Sequence, residues 1–313
     1  MTGEMVDGDL EMSSTVGEHS FVIPFDRTKS PNKAPSMVDI LTYYNQHPIN
    51  ESTINDALLR AGSSLENLAP EDLFAHDQDH YGGLEAVDAL AKSAAIDASD
   101  RVLDVCSGMG GPARYLASRY GCRVMGLDLN RSRALSAARF TALVGLDGKV
   151  SFVCGDATSM PFENQSFTRI ISQEAFLHIG NKEALFENCQ RVLAPGGRLT
   201  FTDWVASPRL TESERSILGK GMAAAAIHQK DEYVSYLSAA DLAGVEVEDL
   251  SVWWRDILRK RLEMYREKSQ DSERLFGAAR YREFMDAYEI FVSVIEEGKL
   301  GGARFTAFRL AQC

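Results

Sequence analysis

The residues best suited to chemistry lie in an apolar run, a turn rich in glycine and the start of a helix, at 102–117. An acid, Asp104, stands near the end of the apolar run, and Gly108, Gly110 and Gly111 follow it. A nucleotide-like ligand can approach a backbone closely only where side chains are missing, and the acid could hold a cationic or hydroxyl-bearing group. The segment therefore predicts a cofactor cradle between a strand and a helix.

Further acids follow the next predicted strands. Asp128 ends the second strand, about twenty residues beyond the glycines, where a carboxylate can accept both hydroxyls of a ribose. Gly155-Asp156-Ala157 ends the third strand and Gln173-Glu174 the fourth, and a Pro-Gly-Gly turn at 195–197 precedes the fifth. The carboxyl ends of parallel strands share one edge of a sheet, where such folds bind their ligands. The ordered set therefore predicts one cofactor site.

The elements that must position these residues alternate between strand and helix, which predicts a parallel sheet with right-handed crossovers. The strands are short apolar runs, as expected when helices cover both faces: 101–105, 123–127, 150–154, 167–172 and 198–203, then 245–253 and an alternating edge strand at 303–310. Helices are predicted at 37–44, 52–61 (capped by Ser52 or Thr53), 84–95, 112–120, 132–144 and 182–192, with helical segments at 211–243 and 255–297.

The predicted fold is α/β: a Rossmann-like, seven-stranded, mostly parallel sheet whose last strand is antiparallel, with helices on both faces and a helical cap. The predicted divisions are a disordered tail at 1–35, a helical lid at 36–98 and a cofactor-binding core at 99–313. Cap insertions are expected in that core at about 205–243 and 255–297.

Composition excludes several classes of protein. The net charge of −12 disfavours a nucleic-acid partner, because phosphate binding needs a basic surface. No signal peptide or membrane span is expected. The five cysteines have neither disulfide-like nor metal-ligand spacing, so a reduced, cytoplasmic setting and no metal are expected. The sequence leaves the oligomeric state open, a homo-oligomer included.

The order of acid, glycines and strand-end acids resembles the class I methyltransferases that use S-adenosylmethionine (SAM) and release S-adenosylhomocysteine (SAH). The glycines alone also fit a dinucleotide-binding turn, but a nicotinamide cofactor would not explain Gly155-Asp156-Ala157 or Pro195-Gly196-Gly197. Cys106 departs from the family pattern, because it stands where most members have the first glycine. The resemblance implies a SAM pocket formed by Gln78, Asp104, Ser107, Gly108, Gly110, Asp128, Leu129, Asp156, Ala157 and Gln173. Arg133 is either a further ribose contact or a cation on a helix surface.

Segments at 77–83, 104–116, 172–178 and 201–204 together look like the sarcosine/dimethylglycine N-methyltransferase branch, whose relatives act on phosphoethanolamine, tocopherol precursors and prenyl diphosphates. The expected function is therefore methylation of a small molecule, most like that of these N-methyltransferases. The alternatives are C- or O-methylation of a phenol or terpenoid, for which the apolar run 223–227 would suit a bulky acceptor, and a non-catalytic SAM-binding partner protein.

Glu174 and His178 are the titratable residues after the fourth strand that could act as a base. Each has an alternative role, since His178 could bond a backbone carbonyl and Glu174 could hold the amino group of SAM. Tyr81 and Trp204 are predicted to contact the substrate, either through cation–π contact with an ammonium group or only as packing. For a carboxylated substrate, Arg255 and Arg259 are candidate partners.

Overall fold

The computed structural model describes residues 40–45, 47, 49–267, 269–270, 273 and 277–311. The predicted tail at 1–35 and the start of the helix predicted from Met37 lie outside these residues. Helix α1 is described from Ile40–Asn45, and α2 (Glu51–Arg60) and α3 (Pro70–Leu73) follow it. Asn50, rather than Ser52 or Thr53, caps α2, because its side chain accepts from the Thr53 N–H while Thr53 bonds back to the Asn50 backbone.

One sheet organises the core. Its first strands and the helices between them are α4 (Gly83–Ala94), β1 (Arg101–Val105), α5 (Gly111–Tyr120), β2 (Arg123–Asp128), α6 (Arg131–Leu143), β3 (Val150–Cys154) and β4 (Phe167–Gln173). After a 3₁₀ turn at Phe176–His178 come α7 (Lys182–Val192), β5 (Leu193–Ala206), α8 (Glu212–Met222), β6 (His228–Gln229), α9 (Lys230–Ala239), β7 (Leu242–Asp249), α10 (Ser251–Glu267), α11 (Ala278–Glu296) and β8 (Leu300–Arg309).

The main path of the sheet is β3-β2-β1-β4-β5-β8-β7, and the two-residue β6 pairs with β5. Strands β1 to β5 pair in parallel, whereas β8 runs antiparallel to both β5 and β7. This confirms the predicted Rossmann-like sheet with an antiparallel last strand. Two separate apolar clusters pack on the strands, one with α7 and α9 and the other with α4, α5 and α6, which agrees with the apolar, non-alternating strands.

Several segments differ from the sequence prediction. The Pro-Gly-Gly turn predicted to precede the fifth strand lies inside β5, where the pairing with β4 shifts register, and the short strand β6 was not predicted. The predicted strand 245–253 is wrong at its end, because α10 begins at Ser251, whose N–H is bonded by the Asp249 carboxylate. The helical segment predicted at 211–243 is interrupted between α8 and α9 by the run 223–229, and its end belongs to β7. None of the described helices is both long and apolar enough to cross a membrane.

Candidate active site

The glycine turn between β1 and α5 packs closely against other parts of the protein. Gly108 and Gly110 have positive φ angles of 54° and 78°, which glycine adopts without strain. A Cβ atom on Gly111 would lie 2.3 Å from the Asp77 carbonyl oxygen. The missing side chains therefore allow the segment 77–81 to pack against the turn, and they also leave the backbone of the turn accessible to a ligand.

Cys106, the departure from the family pattern, has a φ of 63°. A side chain in this left-handed region costs roughly 1–2 kcal/mol. The conformation explains why glycine is usual at this position, and the sequence tolerates cysteine there at the expense of some strain.

Three polar side chains at or just beyond the carboxyl ends of β1 and β4 have buried polar atoms without hydrogen-bond partners among the described residues. Asp104 is 4% exposed, and its Oδ2 atom has no hydrogen-bond partner among the described residues. The same holds for the Ser107 hydroxyl and for both polar atoms of the Gln173 amide. Burial raises the pKa of Asp104 to about 8, and the Asp128 charge adds to the effect. Since buried polar groups are normally paired, these unpaired atoms fit a polar, partly cationic ligand.

Asp128 bonds the turn directly. One carboxylate oxygen accepts from the Gly108 N–H at 2.8 Å, and the other accepts from the Asn130 N–H at 2.8 Å. Burial is the largest influence on its pKa and raises it, although Arg133 and the two N–H donors oppose the shift. The carboxylate thus lies at the carboxyl end of β2 beside the glycine backbone, as predicted.

The ends of β2 and β3 bring three more of the predicted cofactor residues to the same edge. One oxygen of Asp156 accepts from the backbone N–H and the hydroxyl of Thr158, both at 2.8 Å. Ala157 is buried, while Leu129 after β2 is 44% exposed although it is apolar. An exposed apolar side chain beside two strand-end acids is a suitable surface for an aromatic base.

A buried ion pair holds the segment 77–81 in place. Arg114 is fully buried on α5, and it donates to Asp77 at 2.8 Å and to the Met109 carbonyl at 2.6 Å. Beside it, the Gln78 amide donates to Asp77 at 2.6 Å through its nitrogen and accepts from the His80 imidazole at 2.8 Å through its oxygen. The sequence reading missed this pair, because Asp77 and Arg114 lie 37 positions apart with no local pattern that joins them.

Arg133 lies over the glycine turn and is not a surface cation. A Cβ atom on Gly108 would meet its guanidinium at 3.2 Å, and the side chain is almost fully buried. The guanidinium donates to Asp79 at 2.8 Å and to the Ile49 carbonyl at 3.0 Å, and it stacks 5.1 Å from the centroid of the Tyr44 ring. It therefore joins the cofactor cradle to the helices at the N-terminal end.

His178 forms a pair with Tyr44 of α1 that sequence reasoning did not identify. The Tyr44 hydroxyl lies 2.7 Å from Nε2 of His178, and Nδ1 lies 2.8 Å from the Ala223 carbonyl oxygen. A carbonyl can only accept, so Nδ1 carries the proton and Nε2 accepts from the phenol. Burial lowers the pKa of His178 to about 4, which leaves the imidazole neutral at pH 7. The contact to Ala223 matches one of the two predicted roles of His178.

Lys182 fixes the backbone around this histidine. Its fully buried ammonium donates to the carbonyls of Phe176 and Ile179 at 2.7 and 2.6 Å, and to that of Ala226 at 3.2 Å. Most of the run 223–227, predicted as an apolar cap for a bulky acceptor, is buried beside the 3₁₀ turn at Phe176–His178. The Lys182 ammonium thus links the 3₁₀ turn to the run 223–227.

Glu174 lies on the other side of the site, with a φ of 45°. It accepts from the Tyr81 N–H at 2.8 Å and from the Thr202 hydroxyl at 2.6 Å. Burial raises its pKa to about 7 against the effect of these hydrogen bonds. A carboxylate with these two donors supports the backbone of Tyr81.

The two aromatic candidates pack against helices α10 and α11. Tyr81 is buried edge-on to Trp254, with ring centroids 5.1 Å apart. Trp204 is 3% exposed and stacks on Phe291 at 4.2 Å, although its indole N–H has no described partner. Packing is therefore a large part of the role of both rings.

The chain is similar to known methyltransferases over most of its length. A family model described as "Methyltransferase domain" matches residues 102–197. Phosphoethanolamine N-methyltransferase of Plasmodium falciparum is 26% identical over 220 residues, which cover 70% of this chain and 82% of that protein. Methyltransferase GfsG of Streptomyces halstedii is 30% identical over 222 residues, which cover 64% of this chain and 80% of that protein.

A solved structure shows the same fold. Phosphoethanolamine N-methyltransferase 2 of Haemonchus contortus, in complex with phosphomonomethylethanolamine and S-adenosylhomocysteine, superposes with a TM-score of 0.70 at 23% identity. The match covers 89% of this chain and 62% of the Haemonchus protein, so the chain spans less than two thirds of that protein. The sheet, the strand-end acids and the relatives agree, and the chain belongs to the class I SAM-dependent methyltransferases.

Proposed function

We propose that this chain transfers a methyl group from SAM to the amine nitrogen of a small acceptor, as its resemblance to the sarcosine/dimethylglycine branch implies. The name of the Plasmodium relative, an N-methyltransferase, supports the choice of nitrogen. The observation that carries the proposal is the pair of Tyr44 and His178, with 2.7 Å between phenol oxygen and imidazole nitrogen.

The proposed cofactor residues fit SAM by their chemistry. The unpaired Asp104 carboxylate would hold the ammonium of the methionine portion, and the unpaired Gln173 amide would bond its polar groups. Asp128 would accept from the ribose, and Asp156 with Leu129 and Ala157 would receive the adenine. When bound, SAM supplies a methyl group activated on a positively charged sulfur, which a neutral amine can accept without further activation.

Tyr44 is proposed to orient the acceptor. Because its own proton points at Nε2 of His178, its oxygen lone pairs are left to accept an N–H of the amine. Holding the nitrogen in one orientation is a large source of acceleration for a transfer between two bound groups. The acceptor enters as the neutral amine, after losing its ammonium proton to solvent, and the methylated product leaves as an ammonium ion, so no residue has to keep a proton. His178 acts on the acceptor through Tyr44, and its low pKa keeps it neutral in this role.

The proposal is tested by radiolabelled methyl transfer from SAM to sarcosine and phosphoethanolamine, whose neutral amines carry an N–H for Tyr44; dimethylglycine, whose neutral amine has none, tests transfer that does not use this hydrogen bond. Tyr44→Phe should lower turnover by about a hundredfold, the scale of losing one positioned proton-transfer or orienting group, while SAH affinity measured by calorimetry stays within twofold. Tyr120→Phe is the matched control, because this tyrosine of α5 donates its hydroxyl to Asp88 of α4 at 2.7 Å. Full turnover by Tyr44→Phe would refute its role.

The same panel separates the competing functions. Prenyl diphosphates and simple phenols test the alternative of C- or O-methylation. SAH binding without transfer to any acceptor would support the non-catalytic alternative and would exclude the proposed reaction.

A further inference from the structure

Arg261 on α10 is a cation without a described carboxylate partner. Its Nη2 atom donates to the His80 carbonyl oxygen at 2.9 Å, and its guanidinium carbon lies 5.0 Å from the centroid of the Tyr81 ring. Within the described part of the chain, no carboxylate oxygen lies within 4.0 Å of it. An arginine has five N–H donors in a planar fork, so most of its capacity to bind an anion is unused.

The two acids of the neighbouring site are already bonded elsewhere. Asp79 pairs with Arg133 at 2.8 Å and lies 3.5 Å from His47. Burial is the largest influence on the pKa of Asp79 and raises it, but the charges of His47, Arg133 and Arg261 together lower the pKa overall. Glu174 accepts from Tyr81 and Thr202, as described above. Arg261 therefore influences these acids through space without being neutralised by either at contact distance.

A buried hydroxyl without a partner lies on the facing helix. Tyr288 of α11 is 4% exposed, and its hydroxyl has no hydrogen-bond partner among the described residues. Its ring packs against Tyr265 of α10 with centroids 5.2 Å apart. Burial raises the pKa of Tyr288, and the Arg261 charge opposes the shift. A buried, unpaired donor is costly. The rings of Tyr288 and Tyr81 both pack against Phe291, with centroids 5.7 and 6.4 Å from it, so this hydroxyl belongs to the same aromatic cluster as the ring beneath Arg261.

Arg255 and Arg259, which the sequence analysis named as candidate partners for a carboxylate, do not contact Tyr81 as Arg261 does. Arg259 pairs with Glu296 at 2.9 Å on the outer face of α10, where both side chains are exposed. Arg255 forms only a loose ion pair, 3.7 Å from its exposed neighbour Asp256, and its buried Nε atom has no hydrogen-bond partner among the described residues, but no described contact joins it to Tyr81. Arg261, which the sequence reading passed over, is the arginine of α10 that contacts Tyr81.

We propose that Arg261 and the Tyr288 hydroxyl bind an anionic head group, a carboxylate or a phosphate, carried by the acceptor amine. This subsite rests on the proposed function, because it specifies the substrate class of the same site. Tyr81 connects the two parts: its ring lies beneath Arg261 and its N–H bonds Glu174, the residue that follows β4. An amine with an anionic end would thus be held at both ends, by Tyr44 and by Arg261.

Calorimetry on the SAH-saturated full chain tests the subsite with two matched pairs of probes. Sarcosine is compared with sarcosinamide, which lacks the carboxylate, and phosphoethanolamine with ethanolamine, which lacks the phosphate. At least one anionic probe should bind ten times more tightly than its counterpart, and the pair that shows the preference identifies the head group. The titrations are repeated without SAH, so that the subsite is tested even if the cofactor assignment fails.

The variants distinguish binding from support of the fold. Arg261→Gln should abolish the preference for the anionic probe. Its affinity should fall by about tenfold to a hundredfold, the value of a hydrogen bond between charged groups. Arg259→Gln is the matched control and should keep the preference. Tyr288→Phe should weaken binding of the anionic probe several-fold. It should not lower the melting temperature, because the hydroxyl that it removes has no described partner.

The proposal is overturned if the probes with and without the anionic group bind equally, if none of the four binds, or if Arg261→Gln retains the preference. SAH affinity, measured in the same variants, reports on the proposed function separately. Tight SAH binding with no anion preference would reject the subsite alone.

Discussion

The buried carboxylate of Asp104 predicts that cofactor affinity depends on pH. In the free protein, burial raises the pKa of this group to about 8. If it binds the ammonium of SAM or SAH, the nearby cation favours the ionised form and lowers the pKa in the complex. Below pH 8 the free protein then holds a proton that binding must release. Affinity should therefore rise with pH up to about 8 and become constant above it.

The expected size follows from the linkage between binding and protonation. Two pH units below the free pKa, about one protein in a hundred has Asp104 ionised, so affinity at pH 6 should be about a hundredfold weaker than at pH 9. That factor corresponds to about 2.7 kcal/mol. About one proton should be released for each SAH bound at pH 6 to 7.

Calorimetric titration with SAH between pH 6 and 9, in buffers of different ionisation enthalpy, measures both quantities. The amine of SAH also titrates, but its effect is the same in every variant. Asp104→Asn should bind SAH weakly and lack the extra pH dependence. Asp147→Asn changes an exposed acid on the loop before β3 and should behave as the wild type. Identical pH profiles for wild type and Asp104→Asn would refute the assignment of Asp104 to the ammonium.

Three further predictions follow from individual contacts. Asp128→Ala should lower SAH affinity by about tenfold to a hundredfold, because it removes charged hydrogen-bond acceptors, and an unchanged Kd would exclude Asp128 as the ribose acceptor. The raised pKa of Glu174 means that the folded state binds its proton more tightly than the unfolded state, so this residue makes the protein less stable as pH rises from about 4.5 to 7. Denaturant unfolding should show Glu174→Gln more stable than the wild type at pH 8.5 by about 2 kcal/mol, with no such gain at pH 5; a constant difference would contradict this reasoning. Gly111→Ala should destabilise the fold by about 2 kcal/mol through its 2.3 Å approach to the Asp77 carbonyl, whereas Gly148→Ala, with no atom within 4 Å, should leave the melting temperature unchanged.

Local patterns were enough to predict the sheet. Strands β1 to β4 are apolar runs of five to seven residues with an acid or a glycine at or beside their carboxyl ends, and helices cover both faces of the sheet. The boundary after β7 was not predictable in this way, because the β-branched and aromatic residues that extend to Trp253 favour a strand. A side-chain bond from Asp249 to the Ser251 N–H starts the helix there instead.

The acceptor side of the site could not be derived from local patterns. Tyr44 and His178 are separated by 134 positions, and only the tertiary fold brings them together. The arginines of α10 illustrate the same limit, since Arg259 and Arg261 differ little in sequence context. Their environments differ because of the face each occupies: one pairs with Glu296 in solvent, and the other packs on Tyr81.

The segment 77–81 connects the two halves of the site. Gln78 lies against the glycine turn, Asp79 bonds Arg133 above Gly108, and the Tyr81 N–H bonds Glu174. Its first residue, Asp77, is held by the buried guanidinium of α5, which begins at that turn. Five consecutive residues thus contact the cofactor cradle at one end and the proposed acceptor site at the other. A change that loosens the glycine turn should therefore also disturb the surroundings of Arg261, since that guanidinium packs on the Tyr81 ring and bonds the His80 carbonyl.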